Sequence, residues 1–500
     1  MMRDILERVK KNRSFFLGMF FILLGLFLFS HNSPFYGINE DFDVNIDISA
    51  GRVTASGKLP YLDYFTHRGP GSCLYVSLVS LFPGGGYIGL FLLEIISVSL
   101  SYLMIHKTVM EIFQKDKSLY VTSLFYLWFL SDTFGLGGKC EEIWLCGICF
   151  GLWSFCQLIH GKPKEKRKRF LLLFLNGLVS GGLFCIKFTF TGIYVGFLIA
   201  LLIHDKKIKK YVSDFCSFMT GMSIFPLIFS VIAACLGCFR EMFHGYVIIN
   251  LFGYHDSNTI TNPLLQILKN GIWSVLGGLL DSNTFINAYA FLSLGIFLFC
   301  YAGIRKKLKD NSILWILAVF NFLPAILGNG YAYYLTITLP FGILGILSFL
   351  ETRKEKQQKV ILGYLLTLGV IIFMFTERGF AYFQYRDNIS YVKDFVREIK
   401  QSDEKSILNI YMETPIGNCL RKAPEVEYYC YLNANPVEIK LAQIEYLQNK
   451  ETKYVIQIRD HVDEHITDPY LKENYDLCLE RKTYLYYEGD SVMQLWKRKE

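Results

Sequence analysis

Ile38–Tyr75 reads INEDFDVNIDISAGRVTASGKLPYLDYFTHRGPGSCLY. It is the most polar interruption in the N-terminal third of the chain and follows a first apolar run at 15–29. Within it Glu40, Asp41, Asp43 and Asp47 precede a His67-Arg68-Gly69-Pro70 turn. Carboxylates at one end and a cation at the other suit a site that deprotonates a hydroxyl while holding a phosphate. The same charges also describe a solvated loop with scattered acids. What surrounds the stretch has to decide between the two.

The surroundings are those of a membrane protein. Of 500 residues, 52% are hydrophobic and 16% aromatic, and long apolar runs of this kind read as membrane helices. Expected spans fall at 15–31, 84–106, 118–131, 142–160, 170–186, 188–204, 211–238, 283–303, 312–327, 331–350 and 360–376. The net charge of +7 is not a nucleic-acid signature, because the basic residues cluster between the apolar runs. They gather at 8–13, 162–169, 206–210, 305–309 and 353–359. The positive-inside rule puts every cluster in the cytoplasm if the N-terminus starts there. The 38–75 loop, the 239–282 loop and the tail then lie outside the cell. The first run lacks a small-residue cleavage site and reads as a retained helix. The expected fold is a polytopic α-helical membrane protein of about 11 transmembrane helices, in the cytoplasmic membrane, with a small extracytoplasmic α/β domain.

The domain boundary falls near 377. Residues 1–376 form the membrane domain, with its first outer loop at 32–83, and 377–500 form the outer one. In the tail, charged residues become frequent and apolar runs shorten. Val392, Phe395, Val396 and Ile399 stand at helical spacing; 406–412, 453–459 and 491–496 read as strands, and 436–449 as a helix. The 13 cysteines show no zinc-type pairing. Cys146 and Cys149 read as core residues of an apolar helix. Cys419, Cys430 and Cys478 lie in the tail, where the sequence does not choose a disulfide.

Within this frame, Asp43-x-Asn45, Gly51, Gly57-Lys58-Leu59-Pro60-Tyr61-x-Asp63-x-Phe65, His67-Arg68-Gly69-Pro70 and Tyr75 together resemble the first outer loop of bacterial GT-C glycosyltransferases. The resemblance is to the branch of protein mannosyltransferases and aminoarabinose transferases. Gly137-Gly138-Lys139-Cys140-Glu141-Glu142 is similar to that branch's Gly-Gly-x-x-Glu-Glu segment. Gly328-Asn329-Gly330-Tyr331-Ala332-Tyr333-Tyr334, followed by Pro340, is similar to Gly-x-x-Tyr-x-His-Tyr, with Tyr333 where His is usual. Phe184-Cys185-Ile186-Lys187-Phe188 matches a pattern with a lysine in an apolar stretch. The landmarks run in order over about residues 35–350.

The resemblance implies a sugar donor on a polyprenyl phosphate and an acceptor that is a cell-surface glycan, glycolipid or protein. It gives Asp43 the catalytic role, with Asp41 and Asp47 as alternatives on the residues alone. Arg68 stands where Lys is usual, keeping the charge and adding a fork for phosphate. Arg68, Lys187 and His67 are the candidate phosphate ligands. Lys187 also has independent support, since a cation within 170–204 is costly unless it sits at a hairpin tip. Glu141 and Glu142 form a candidate second acidic site, though negative charge at a helix start is favourable on dipole grounds alone. Tyr61, Asp63, Tyr331 and Tyr333 are candidate sugar or acceptor contacts. The expected reaction is an inverting displacement that requires no cofactor or metal, with a divalent ion at the acids left open. A lipid-linked sugar transporter (flippase) and a non-catalytic envelope assembly protein are the rival readings.

Overall fold

The computed structural model describes residues 12–160, 166–205, 208–253, 295, 298–299, 301, 313–327, 332–375, 377–410, 413–424, 437–459, 464–485 and 489–500. The apolar runs form helices, because a chain in lipid must satisfy its backbone polar groups internally. Among the described residues, seven helical stretches are long and apolar enough to cross a membrane: Gly84–Phe113, Cys140–His160, Lys166–Ile186, Phe188–Asp205, Ile208–Cys235, Tyr333–Leu350 and Glu355–Met374. Shorter apolar helices at Arg13–Phe29, Ser118–Phe129 and Leu314–Leu327 fall on three further expected spans. The expected span at 283–303 lies almost wholly outside the described residues. The protein is a polytopic helical membrane protein with a small C-terminal sheet.

The chain divides into two compact units. The first joins Met1–Ser30, Leu92–Phe229 and Ile260–Thr376 and holds most of the apolar helices. At its charged turns, Arg169 pairs with Asp205 at 2.6 Å and with Asp214 at 2.5 Å, while Lys210 reaches Asp205 at 2.7 Å. These contacts bring the basic turns near 166 and 208 to one end of their helices. Lys115 and Lys117 likewise meet at Glu351. Turns expected on one membrane face thus meet in space.

The second unit joins His31–Phe91, Ser230–Thr259 and Glu377–Glu500. The polar loop, the segment after Ser230 and the tail therefore fold together, which requires one side of a membrane for all three. In the loop, helix Phe42–Ala55 is buried around nearly its whole circumference from Val44 to Val53. Packing of this kind offsets the modest helix propensity of its β-branched residues. It crosses helix Pro70–Ser80 at Gly51, where a Cβ would lie 2.2 Å from the Val76 carbonyl oxygen. Only glycine permits that approach.

The tail carries a four-stranded sheet in the order β1-β2-β4-β3: β1 (Ile407–Asn409), β2 (Tyr454–Ile458), β3 (Tyr475–Leu485) and β4 (Gly489–Arg498). β1 and β2 are parallel; the other pairings are antiparallel. Strand alternation sends Tyr454, Ile456 and Ile458 to a core with Val392, Phe395 and Ile399 of helix Ser390–Gln401. Val455 faces the opposite side, with Leu447 and Leu471 from two other helices. Ile38 and Phe42 of the loop pack onto the first of these cores. Cys419 and Cys478 are free thiols, and Cys430 lies outside the described residues.

Sidedness is open to a direct check. In the expected orientation, an impermeant thiol reagent added from outside labels cysteine at Lys58→Cys above the unsubstituted background. Lys168→Cys stays unlabelled until the membrane is opened. Both positions are exposed, so access and not burial sets the result. Reversed labelling would move the loop to the cytoplasm.

Candidate functional site

The four acids of the loop separate by environment. Asp41 is the N-cap of helix Phe42–Ala55, its carboxylate accepting from the Asp43 amide at 3.0 Å and the Val44 amide at 3.4 Å. An N-cap of this kind is worth about 1 kcal/mol and occupies the carboxylate. Glu40 is buried, and its two oxygens find no hydrogen-bond partner among the described residues. Burial holds its carboxyl well above the ordinary range. Asp43 and Asp47 are left, one helical turn apart on a single face.

Arg68 joins this pair. Its Nη2 lies 3.2 Å from Asp43 Oδ1, and its Nε lies 3.0 Å from Asp47 Oδ1. The Asp43 side chain is 22% exposed and that of Asp47 is 11% exposed, so Asp43 is the one more open to an incoming hydroxyl. Gly69 and Pro70 start the next helix, with Pro70 in its first turn. This fixes where Arg68 leaves the backbone. His67 is buried, and its carbonyl accepts from Asn250 Nδ2 at 2.7 Å. Tyr61 OH donates to the Arg68 carbonyl at 2.5 Å, and Asp63 accepts from the Leu59 amide at 2.7 Å, shaping the turn.

A second polar cluster lies in the first unit. Lys187 sits in extended backbone between helices Lys166–Ile186 and Phe188–Thr191, at the tip of a hairpin. Its Nζ donates to Glu141 Oε1 at 2.5 Å and stands 4.0 Å from the centre of the Tyr334 ring. Lys139 stands 3.8 Å from the centre of the Tyr333 ring, and the two tyrosines pack edge to face at 4.8 Å. Two ammonium groups therefore lie over two adjacent aromatic faces. Glu142 is buried, and its carbonyl accepts from Ser97. Tyr331 lies outside the described residues. Among the described residues no three His, Cys, Asp or Glu side chains gather as metal ligands.

The tail holds the acid-bearing helix through a buried polar network. Asn418 Nδ2 donates to Asn45 Oδ1 at 3.0 Å, and Tyr87 OH donates to the same oxygen at 2.6 Å. Arg52 Nε donates to Asn418 Oδ1 at 3.2 Å, and Ser49 Oγ donates to Glu413 Oε1 at 2.7 Å. Asn45, Ser49 and Arg52 occupy the helix that also carries Asp43 and Asp47. Leaving one such buried partner unpaired costs about 1–3 kcal/mol.

Burial raises the Glu413 carboxyl to about 7, partly opposed by its hydrogen bonds from Ser49 and Asn409. With the folded value above the ordinary 4.5, the resulting stability is fully present below that unfolded value and is lost as pH rises through the folded one. The full shift corresponds to about 3 kcal/mol. Thermal unfolding in detergent between pH 5 and 8 should show this loss. Glu413→Gln, which keeps an acceptor for Ser49, should flatten the profile; an unchanged slope would remove Glu413 as its source.

No protein-family model matches the chain, and no curated protein does. Solved structures do. The crystal structure of ArnT from Cupriavidus metallidurans in the apo state superposes with a TM-score of 0.58 at 10% identity, covering 98% of each chain. The same protein bound to undecaprenyl phosphate gives 0.58 at 11% identity, covering 96% of each chain. The chain has the ArnT fold.

The ArnT fold extends over the tail as well as the membrane helices, beyond the span of about 35–350 that the motifs cover. On this copy of the ArnT fold, the sequence motifs fall on two clusters, each within one unit. Asp43, Asp47 and Arg68 form one; Lys187, Glu141 and Tyr333 belong to the other, joined by Lys139 and Tyr334. Lys139 was not singled out by sequence because it lies in a Gly-Gly-Lys turn. Its signal was the Glu-Glu beside it. The network residues Asn418 and Glu413 carried no sequence signal at all, since a tail asparagine and glutamate read as surface.

Proposed function

We propose that the protein is a membrane glycosyltransferase that moves a sugar from a polyprenyl-phosphate donor to a hydroxyl of an extracytoplasmic glycan, glycolipid or protein. The observation that carries this reading is the Asp43–Arg68–Asp47 arrangement, in a chain whose whole length follows the ArnT fold. The C. metallidurans structure with undecaprenyl phosphate supports a lipid-phosphate donor of that class. In this reading Asp43 takes the proton of the acceptor hydroxyl as its oxygen attacks the anomeric carbon. The bond from that carbon to the phosphate oxygen breaks, and the polyprenyl phosphate departs with the electron pair. The displacement inverts the anomeric centre. Asp47 keeps Arg68 oriented, and Arg68 stabilises phosphate charge as it develops; Lys187 is a separate candidate ligand for the donor phosphate.

Lys187 supplies the test. Bound Glu141 leaves two of its three donors for other partners, while the Tyr334 face favours a cation there. Purified protein in nanodiscs should bind undecaprenyl phosphate, and Lys187→Ala should weaken that binding by about tenfold or more, the worth of one charge-assisted hydrogen bond. Lys187→Arg should recover part of the loss. Failure of the unsubstituted protein to bind the lipid, or of any lipid-linked sugar to be turned over, would remove the glycosyltransferase reading.

A further inference from the structure

A cavity of about 360 Å³ lies in the second unit, lined by Tyr61, Phe65, Thr66, Arg240, Glu241 and His244 among others. Its size is that of a small-molecule site. Three backbone features meet at its wall. Tyr61 has φ +70°, the left-handed region that a bulky side chain occupies only when its surroundings impose it. Residues His244–Gly253 form a π-helix, a rare form that is frequent at functional sites. Gly245 brings the two together: a Cβ there would lie 2.8 Å from the Thr66 carbonyl oxygen and 3.1 Å from Tyr61 Cδ1.

The cavity wall is tied to the Asp43–Arg68 cluster. Tyr61 OH holds the Arg68 carbonyl, and Asn250 of the π-helix holds the His67 carbonyl. The side chains of Arg240, Glu241 and His244 are exposed and make no hydrogen bond or ion pair with the described residues. Their donors and acceptors are thus available to a ligand. A guanidinium and a carboxylate side by side leave the wall without net charge, which suits a neutral ring bearing hydroxyls better than a phosphate. Tyr61 and Phe65 supply apolar faces for such a ring.

We propose that this cavity binds the acceptor sugar, a neutral pyranose-like ring whose neighbouring hydroxyls pair with Arg240 and Glu241 and whose face rests on Tyr61. The assignment of the ring to the acceptor rests on the glycosyltransferase reading above, because Tyr61 of the cavity wall holds the carbonyl of Arg68, whose side chain pairs with Asp43. The binding site itself does not depend on it.

Saturation-transfer NMR on the full-length protein in nanodiscs tests this, with methyl α-glucoside, α-galactoside, α-mannoside and β-arabinopyranoside as probes. At least one should bind at millimolar concentration, with transfer to its ring protons. Arg240→Ala and Glu241→Gln should each reduce that signal about fivefold or more, and Gly245→Val should abolish it by closing the approach. Absence of binding by all four probes, or a signal unchanged in both Arg240→Ala and Glu241→Gln, overturns the proposal. Undecaprenyl phosphate binding on the same preparations separates the two readings. Lipid binding without glycoside binding removes the acceptor cavity and leaves the transferase. Glycoside binding without lipid binding keeps the cavity and removes the transferase.

Discussion

Asp43→Asn is expected to lower turnover by about 10²–10⁴-fold, the usual worth of a positioned general base. The substitution keeps the side chain's size and an oxygen for Arg68, 3.2 Å away, but cannot take a proton. Binding of undecaprenyl phosphate should therefore stay within a few-fold of the unsubstituted value while transfer to the acceptor collapses. Asp47→Asn is the informative companion. Asp47 is the more enclosed partner of Arg68, so its loss should act through Arg68 orientation and cost less than that of Asp43. Wild-type transfer by Asp43→Asn at saturating donor and acceptor would move the base elsewhere. Asp41 and Glu40 would be poor replacements: the first is occupied as a helix cap and the second is buried.

Arg68→Ala is expected to be nearly as severe, with a fall in turnover of about 10²–10³-fold, as for loss of one preorganised charge-stabilising donor. Two effects combine. The leaving phosphate loses a cation, and Asp43 and Asp47 are left as like charges one turn apart on one helix face. The second effect has its own readout, because it should lower the thermal stability of the purified protein whereas loss of phosphate stabilisation should not. Adding Asp47→Asn to Arg68→Ala should then restore melting temperature without restoring turnover. Arg68→Lys should recover part of the activity, since a single ammonium keeps the charge but cannot span both carboxylates as the fork does. Full activity in Arg68→Ala would detach this arginine from the chemistry.

Much of the architecture was legible because lipid imposes strong rules. Apolar runs between basic turns marked the helices, and the turns around Arg169 and Lys210 meet as the charge pattern implies. In the tail, the Ser390–Gln401 helix and three strands followed from periodicity alone, with boundaries shifted by a few residues. β3 escaped notice. Glu480, Arg481 and Lys482 sit in its middle and break any apolar alternation, whereas an edge strand carries such charges readily and is protected by them. The helices Pro415–Leu420 and Glu464–Asn474 were also missed, the first because it is one turn and a half long, the second because Pro469 interrupts its pattern.

The site was legible in pieces. Asp43 and Arg68 lie 25 residues apart, yet a helix from 42 and a turn at Gly69-Pro70 bring them within ion-pair distance. Short-range signals of that kind can be read from a chain. Arg240, Glu241 and His244 could not be, because their relation to Tyr61 depends on a π-helix and on the absence of a side chain at Gly245. No local periodicity announces either. Lys139 and Tyr333 posed the same difficulty: a cation and a ring nearly two hundred positions apart share no sequence pattern.

The network between Asn418, Glu413 and the acid-bearing helix bears on how such a protein could be recombined. A tail grafted from another protein would present foreign groups to Asn45, Ser49, Arg52 and Tyr87, leaving several of them unpaired in a buried setting. At about 1–3 kcal/mol for each orphaned group, two or three mismatches would consume much of a typical fold's margin. The transplantable piece is accordingly the loop, the segment after Ser230 and the tail together. A chimera cut at 377 alone should fail, while one that also carries residues 31–91 and 230–253 from the same donor should tolerate the exchange.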